Sequence, residues 1–206
     1  MPQPTFRQPP HLAIISTCLI AAPTFAVPVS VTVLDVNGSP LADAAVSIEV
    51  AGNKPAAPPG TQAEMGQRNR AFTPTLLVVQ TGTAVAFPNF DTVRHHIYSF
   101  SPTKPFEIKL YAGTPAAPVV FDKAGTAILG CNIHDRMAGF IHVVNTPHFA
   151  ITRPDGVATI DVPAGEHTLQ TWHRQMGDKQ APQRQGIKVQ ATGGAVTVRL
   201  IAPGQT

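Results

Sequence analysis

Short runs in which apolar and polar residues alternate recur along the whole chain, separated by clusters of Gly, Pro, Asn and Asp. Residues 29–34, VSVTVL, alternate with period two and predict a strand, Asn37-Gly38 a turn, and 45–50 the returning strand. The segment 52–60, with Pro55, Pro58 and Pro59, reads as a linker. Further strands are predicted at 76–79, 84–87, 96–100, 106–110, 119–121, 126–130 and 140–144, with Gly82, Asn89-Phe90-Asp91, Gly113 and Gly125 at the turns between them. After Pro147, Asp155-Gly156 predicts a hairpin joining 149–152 to 157–160, and strands at 167–172, 186–190 and 195–201 complete the pattern. No long amphipathic helix is visible. Twenty-one prolines and sixteen glycines agree with a turn-rich, all-β chain, and the spacing of the middle strands predicts a Greek-key β-sandwich.

Ahead of the strands, Arg7 precedes the apolar run 12–22, and Thr24-Phe25-Ala26 offers a small residue at a cleavage position. This is the layout of a secretory signal peptide, with a buried N-terminal element as the alternative. The run falls short of the about 20 apolar residues that span a bilayer, so the expected mature chain starts near Val27, has no membrane span and is periplasmic. Removing the leader also removes Cys18 and leaves Cys131 as the sole cysteine. A disulfide within one mature chain is thereby excluded, and an unpaired thiol in an oxidising compartment calls for a specific role. The formal charge of +3, lower by one without Arg7, and the lack of a basic stripe with interleaved aromatics argue against nucleic acid as a partner.

That role is suggested by Cys131-x-x-His134-x-x-Met137 within GCNIHDRMAGF. A thiolate, an imidazole and a thioether are ligands of graded softness, and a Cys with two His and a weak axial Met is the type 1 copper pattern. The second imidazole would come from His95-His96, at the start of a predicted strand; alternation allows only one of these neighbours to face the site. Zinc could use Cys131, His134 and one of the pair, but the thioether gives it no strong fourth ligand. A buried thiol beside an ordinary loop histidine is the plainer reading of the motif. A cysteine-protease dyad lacks any sign of an oxyanion hole. The remaining histidines, His142, His148, His167 and His173, read as structural or solvated, and the Trp172-His173 pair suggests no role.

The segment FPNFDTVRHHI, 87–97, together with the Cys-x-x-His-x-x-Met loop, resembles the cupredoxins, the plastocyanin- and amicyanin-like type 1 copper proteins. The resemblance implies His95, Cys131, His134 and Met137 as ligands of one copper ion, and the edge of His134, ringed by Pro88, Ala138 and Phe140, as the route for electrons. Asn132 and backbone N–H groups near Asn89 are candidate donors to the thiolate. His96 stands where the better-known members carry Asn, and Asp135-Arg136, which could pair with each other, replace apolar residues after the loop histidine. Residues 65–175 are similar to an exported plastocyanin-like group often called methylamine utilization proteins. The flanks, VTVLDVNGSPLADAAVSIEV and TRPDGVATIDVPAGEHTLQTW, resemble the two halves of a carboxypeptidase-regulatory-like (transthyretin-like) sandwich, through Gly38, Pro40, Leu41, Ala44, Asp155, Gly156, Pro163 and Gly165.

The expected organisation is therefore a signal peptide at 1–26, the first part of a small sandwich with a linker at 27–60, a cupredoxin domain at 61–146, and the rest of the small sandwich at 147–206. The expected function is one-electron transfer, without enzymatic turnover, to or from a periplasmic redox protein such as a c-type cytochrome or a dehydrogenase. Copper storage or delivery, and a binding or scaffold module, are the alternatives.

Overall fold

The computed structural model describes residues 25–201; apart from Phe25 and Ala26, the expected signal peptide lies outside the described residues. The chain is all-β. In order its strands are β1 (Ala26–Leu34), β2 (Ala45–Glu49), β3 (Gln62–Glu64), β4 (Gly66–Arg68), β5 (Ala71–Thr73), β6 (Leu76–Gln80), β7 (Thr83–Ala86), β8 (His95–Ser99) and β9 (Phe106–Tyr111). They continue with β10 (Val119–Phe121), β11 (Gly125–Cys131), β12 (Ala138–Val144), β13 (Phe149–Ile151), β14 (Val157–Pro163), β15 (Gly165–Trp172), β16 (Gln183–Val189) and β17 (Gly194–Arg199). A 3-10 turn at Arg174–Met176 is the one helical element among the described residues.

Strand pairing is nested. The first two strands pair only with the last five, in the sheets β14-β1-β17 and β13-β2-β15-β16. Everything between them pairs within itself, as β10-β7-β3, β6-β12-β11-β8-β9 and the hairpin β4-β5. Period-two burial explains the outer sheets: Val29, Val31 and Val33 of β1 and Ala158, Ile160 and Val162 of β14 all face one core, while intervening residues are more exposed. The central strand β2 is buried on consecutive positions, Ala45 to Ile48, because it lies between β13 and β15 with both faces covered.

Two expected hairpins are not hairpins. The strands flanking Asn37-Gly38 lie in different sheets, and so do those flanking Asp155-Gly156. The turns themselves are real. Asp35 Oδ1 accepts the Asn37 and Ser39 N–H groups, and Asp155 Oδ1 accepts that of Val157. What decides the pairing is burial, since β1 and β2 each have a better-matched partner from the far end of the chain. Residues 61–73, which the alternation pattern leaves unassigned, form the three short strands β3, β4 and β5. The linker at 52–60 is tied down, with Gln80 Nε2 donating to Lys54 O and Pro55 O and the Ala57 N–H to Thr81 O.

The parallel pair β6–β12 separates two hydrophobic cores. Leu76 and Val78 of β6, with Phe140 and Val144 of β12, pack into the core of the outer sheets. Leu77 and Val79, with Ile141 and Val143, pack into the core that contains Cys131 and Met137. Trp172 of β15, fully buried, closes the junction: its ring stacks on His142 at 4.9 Å and 11°, meets Phe140 at 5.9 Å, and its Nε1 donates to Gly177 O. His173 accepts the Gln175 N–H and so caps the 3-10 turn that follows. Of the pair without an assigned role in the sequence, Trp172 thus forms the seam between the cores and His173 caps the turn behind it.

His142 shares its Nδ1 with Thr126 Oγ1 at 2.9 Å and is 3% exposed. Burial pushes its pKa down from 6.5 to about 4. The unfolded chain takes up this proton at the ordinary value and the folded chain refuses it. Stability is therefore full above the unfolded value, declines as the pH falls below it, and levels out below the folded value, a loss of about 3 kcal/mol. Urea melts at about pH 7.5 and about pH 4.5 should show the midpoint falling, and His142→Phe, which keeps a ring against Trp172, should reduce that fall.

Candidate metal centre

Two successive tight turns connect β11 to β12. Cys131 O accepts the His134 N–H at 3.4 Å, and His134 O accepts the Met137 N–H at 2.9 Å. Each turn brings residues three apart close together, so the spacing Cys-x-x-His-x-x-Met is the spacing of the turns themselves. Met137 is 3% exposed and belongs to the same core as Cys131.

The second imidazole arrives from β8, which pairs with β11 at Cys131↔Ile97 and Gly130↔Tyr98. Along β8, His95, Ile97 and Ser99 are buried while His96 and Tyr98 point outward. His95 faces Cys131; His96 turns away and pairs with Glu107 at 2.8 Å. A register irregularity against β9 lies between His95 and Ile97, where β9 carries one extra residue, Lys109 and Leu110 standing opposite His96 alone. Gly130 is a close-approach position: a Cβ there would stand 2.6 Å from the Tyr98 ring.

Cys131 Sγ lies 3.6 Å from His95 Nδ1 and 3.6 Å from His134 Nδ1, and the three ligand atoms are all within 4.8 Å of one another. With metal bonds of about 2.1 Å to nitrogen and about 2.3 Å to sulfur, such a separation subtends about 110° at a shared ion. That angle suits trigonal or tetrahedral coordination, so the donors fit one small, soft-to-intermediate metal ion. His95 is fully buried and Cys131 4% exposed, whereas His134 is half-buried.

Asp91 fixes the orientation of His95. Its Oδ2 lies 2.8 Å from His95 Nε2, and its two oxygens accept the N–H groups of Asn69 and Arg70 at 2.6 and 2.9 Å. Desolvation pulls the carboxyl pKa upward, but the hydrogen bonds from Arg70, His95 and Asn69 outweigh it and hold the group below its ordinary 3.8. A carboxylate accepting from Nε2–H leaves Nδ1 with the lone pair, aimed at the sulfur. The two backbone donors come from the β4–β5 turn, where Asn69 and Arg70 both have positive φ, 55° and 58°. Both N–H groups converge there on one carboxylate. In the sequence Asp91 reads only as a turn residue, because its backbone partners lie some twenty positions upstream in a turn between strands too short to recognise; the i, i+4 spacing to His95 is the one signal that could have marked it.

Other expected contacts differ. The Asn132 N–H donates to His96 O, and Asn89 binds Gly113, Val93 and Tyr111 carbonyls and the Asp91 N–H, so both brace loops rather than the sulfur. Phe140 packs on Trp172, away from a rim around His134. Asp135 and Arg136 form no ion pair with each other among the described residues. Burial pushes the Tyr111 phenol up to about 12, which keeps it a donor to Phe87 O. Of the remaining histidines, His148 and His167 bond backbone carbonyls of Asp161 and Pro163.

No protein-family profile and no curated protein sequence matches the chain. Among solved structures it is similar to amicyanin from Paracoccus versutus (Thiobacillus versutus), with 18% identity, 47% of this chain and 97% of that one covered, and a TM-score of 0.35. It is also similar to a purple cupredoxin from Nitrosopumilus maritimus, with 24% identity, 40% and 98% covered, and a TM-score of 0.35. A third similar structure is a reduced Cu(I) form of an amicyanin variant at pH 4, with 19% identity, 48% and 97% covered, and a TM-score of 0.36.

Loss of a partner that orients a metal-binding histidine costs about 10- to 100-fold in metal affinity. Asp91→Ala should weaken metal binding by that order in a competition titration against a chromophoric chelator. Asp91→Asn, whose single amide oxygen can still accept the Arg70 N–H and the His95 Nε2–H, should cost less.

Proposed function

We propose that the chain binds one copper ion, which His95, Cys131, His134 and Met137 would hold, and carries single electrons between redox partners. The observation that carries this reading is the convergence of two imidazole Nδ1 atoms and one Sγ on a single buried point. A thiol and two imidazoles beside a thioether favour copper over zinc, calcium or magnesium. Copper bound there supplies a one-electron couple between Cu(I) and Cu(II).

The protein contributes a fixed frame. Cys131 binds as the thiolate, releasing its proton to solvent. His95 is held by Asp91, whose negative charge makes the ring a stronger donor and favours the more highly charged state of the metal. The backbone turns at His134 and Met137 hold the other two donors, and burial of Cys131 and Met137 keeps water from adding as a further ligand. His134, as the half-buried member, is the proposed route for the electron.

Export and organisation belong to the same reading. The leader-like segment at 1–26 supports a periplasmic location, and a c-type cytochrome or a dehydrogenase there is the proposed partner class. Nested pairing supports a copper-binding unit at 61–146 within a small sandwich made of 27–60 and 147–206. The loop spacing and the motif around His95 support placing the chain with the cupredoxins and the exported plastocyanin-like group. The proposed role is that of a carrier rather than an enzyme.

The protein reconstituted with one equivalent of Cu(II) should show an intense visible thiolate-to-copper band with a matching EPR signal, and should cycle reversibly in voltammetry. Cys131→Ser should abolish the band. Colour that survives in this variant, or thiol oxidation in place of a stable spectrum, would overturn the ligand assignment.

A further inference from the structure

Phe90 is 51% exposed, yet it is held in place. Its N–H donates to Gln67 O at 2.9 Å, and its ring lies so close to Gly66 that a Cβ there would stand 2.9 Å away. The guanidinium carbon of Arg68 lies 4.8 Å from the ring centroid, over its face. An aromatic ring kept in solvent in one orientation loses little freedom when a partner covers it. The stacked guanidinium is preorganised in the same way, and stacking leaves its in-plane N–H groups free to bind a planar acceptor.

This stack adjoins the two imidazoles of the candidate centre. Phe90 is followed by Asp91, whose carboxylate binds His95 and accepts the Arg70 N–H. Arg94 directly precedes His95, and Arg136 lies between His134 and Met137, where the His134 ring is 5.0 Å from that of His95. All four arginines are exposed, and none has an ion-pair partner among the described residues. The acidic residues of the same segments are Asp91, already engaged by His95 and the turn, and Asp135. Positive charge is therefore in excess there. Val93 and Ile133, on the same two loops as the histidines, add exposed apolar surface at 36% and 48%.

Resting on the electron-carrier reading above, we infer that these loops form a docking surface for an acidic redox protein, with Phe90 as the apolar anchor and the stacked Arg68 as a receptor for a carboxylate of that partner. Exposed apolar side chains with arginines around them have the composition of a protein interface, in which aromatic residues and Arg are enriched. Guanidinium groups pair with carboxylates through two parallel hydrogen bonds, and the excess of one sign steers an acidic partner in while turning a basic one away. By contrast, Arg153 and Arg184 of the outer sandwich already hold carboxylates of this chain, those of Asp155 and Glu49.

The probe is ferrocytochrome c whose lysines have been succinylated, which makes it acidic; the untreated, basic cytochrome is its counterpart. Titrated into the isotope-labelled, metal-free full-length protein at low ionic strength, the acidic form should shift the NMR signals of the Phe90, Val93, Ile133 and Arg136 amides, and the basic form should bind about tenfold more weakly or worse. Arg68→Gln should weaken binding about twofold to fivefold. Phe90→Ala, which keeps every charge, should weaken it by about fivefold or more. Added salt should shrink the first effect more than the second. Lys188→Gln, on β16, should bind as the wild type does. Equal binding of the two cytochromes, shifts centred on another surface, or no shift at all would overturn the docking surface and leave the copper reading standing. If the acidic form binds as expected but Cu(II) gives no thiolate-to-copper band, the surface stands and the copper reading fails.

Discussion

The strand β12 has no solvent side over most of its length, and the metal loop inherits its position from that constraint. Its alternate residues are claimed by two different cores: Ile141 and Val143 by the one that holds Cys131, Phe140, His142 and Val144 by the seam with Trp172. A slip by one residue would exchange the two sets and drive His142 into a purely apolar interior. Each large side chain so buried contributes about 1.5–3 kcal/mol, which makes the register hard to change. Met137 immediately precedes β12 and Cys131 ends its neighbour β11, so a fixed register fixes the turn between them. Gly139 belongs to the same scheme, because a Cβ there would stand 2.8 Å from Phe72 of β5.

On the other side of the site, polar contacts replace packing. His95 is reached through a chain of short links running from the β4–β5 turn, through Asp91, to the ring. Asn89 holds the Asp91 loop by its own side chain, and the floor beneath it is tied by Tyr111 and Gln67, which are themselves hydrogen-bonded. Four separate stretches of chain thus determine where two imidazoles and a sulfur meet. The negative charge of Asp91 sits behind the His95 ring, on the side away from Cys131, where it makes Nδ1 the stronger donor.

The all-β character was legible because period-two burial is written into β1, β8 and β14 residue by residue. The spacing of Cys131, His134 and Met137 was legible because it coincides with two backbone turns. Pairing was not. Whether β1 takes β2 or β14 as its neighbour depends on side chains more than a hundred positions away, and a local turn signal such as Asp155-Gly156 carries no information about which sheet its flanks will join. The strands β3, β4 and β5 escaped notice because three residues apiece, with Gln62, Glu64, Gln67 and Arg68 among them, show neither a clear period nor an apolar run. Asp91 and Trp172 share the same cause of invisibility: each matters through partners distant in sequence.

The parallel pairing of β1 with β17 has a mechanical consequence. Val29 stands beside Gly194 and Leu34 beside Arg199, so the chain enters this pair at one end and leaves it at the other. Tension applied to the chain on either side of the described residues would load the hydrogen bonds between these two strands together, in shear, rather than opening them one at a time. Because β3 to β12 are spliced between partners that hold each other, the pull reaches them only after β1 and β17 have parted. The outer sandwich is a clasp around the segment that carries His95 and Cys131, and it bears the load first.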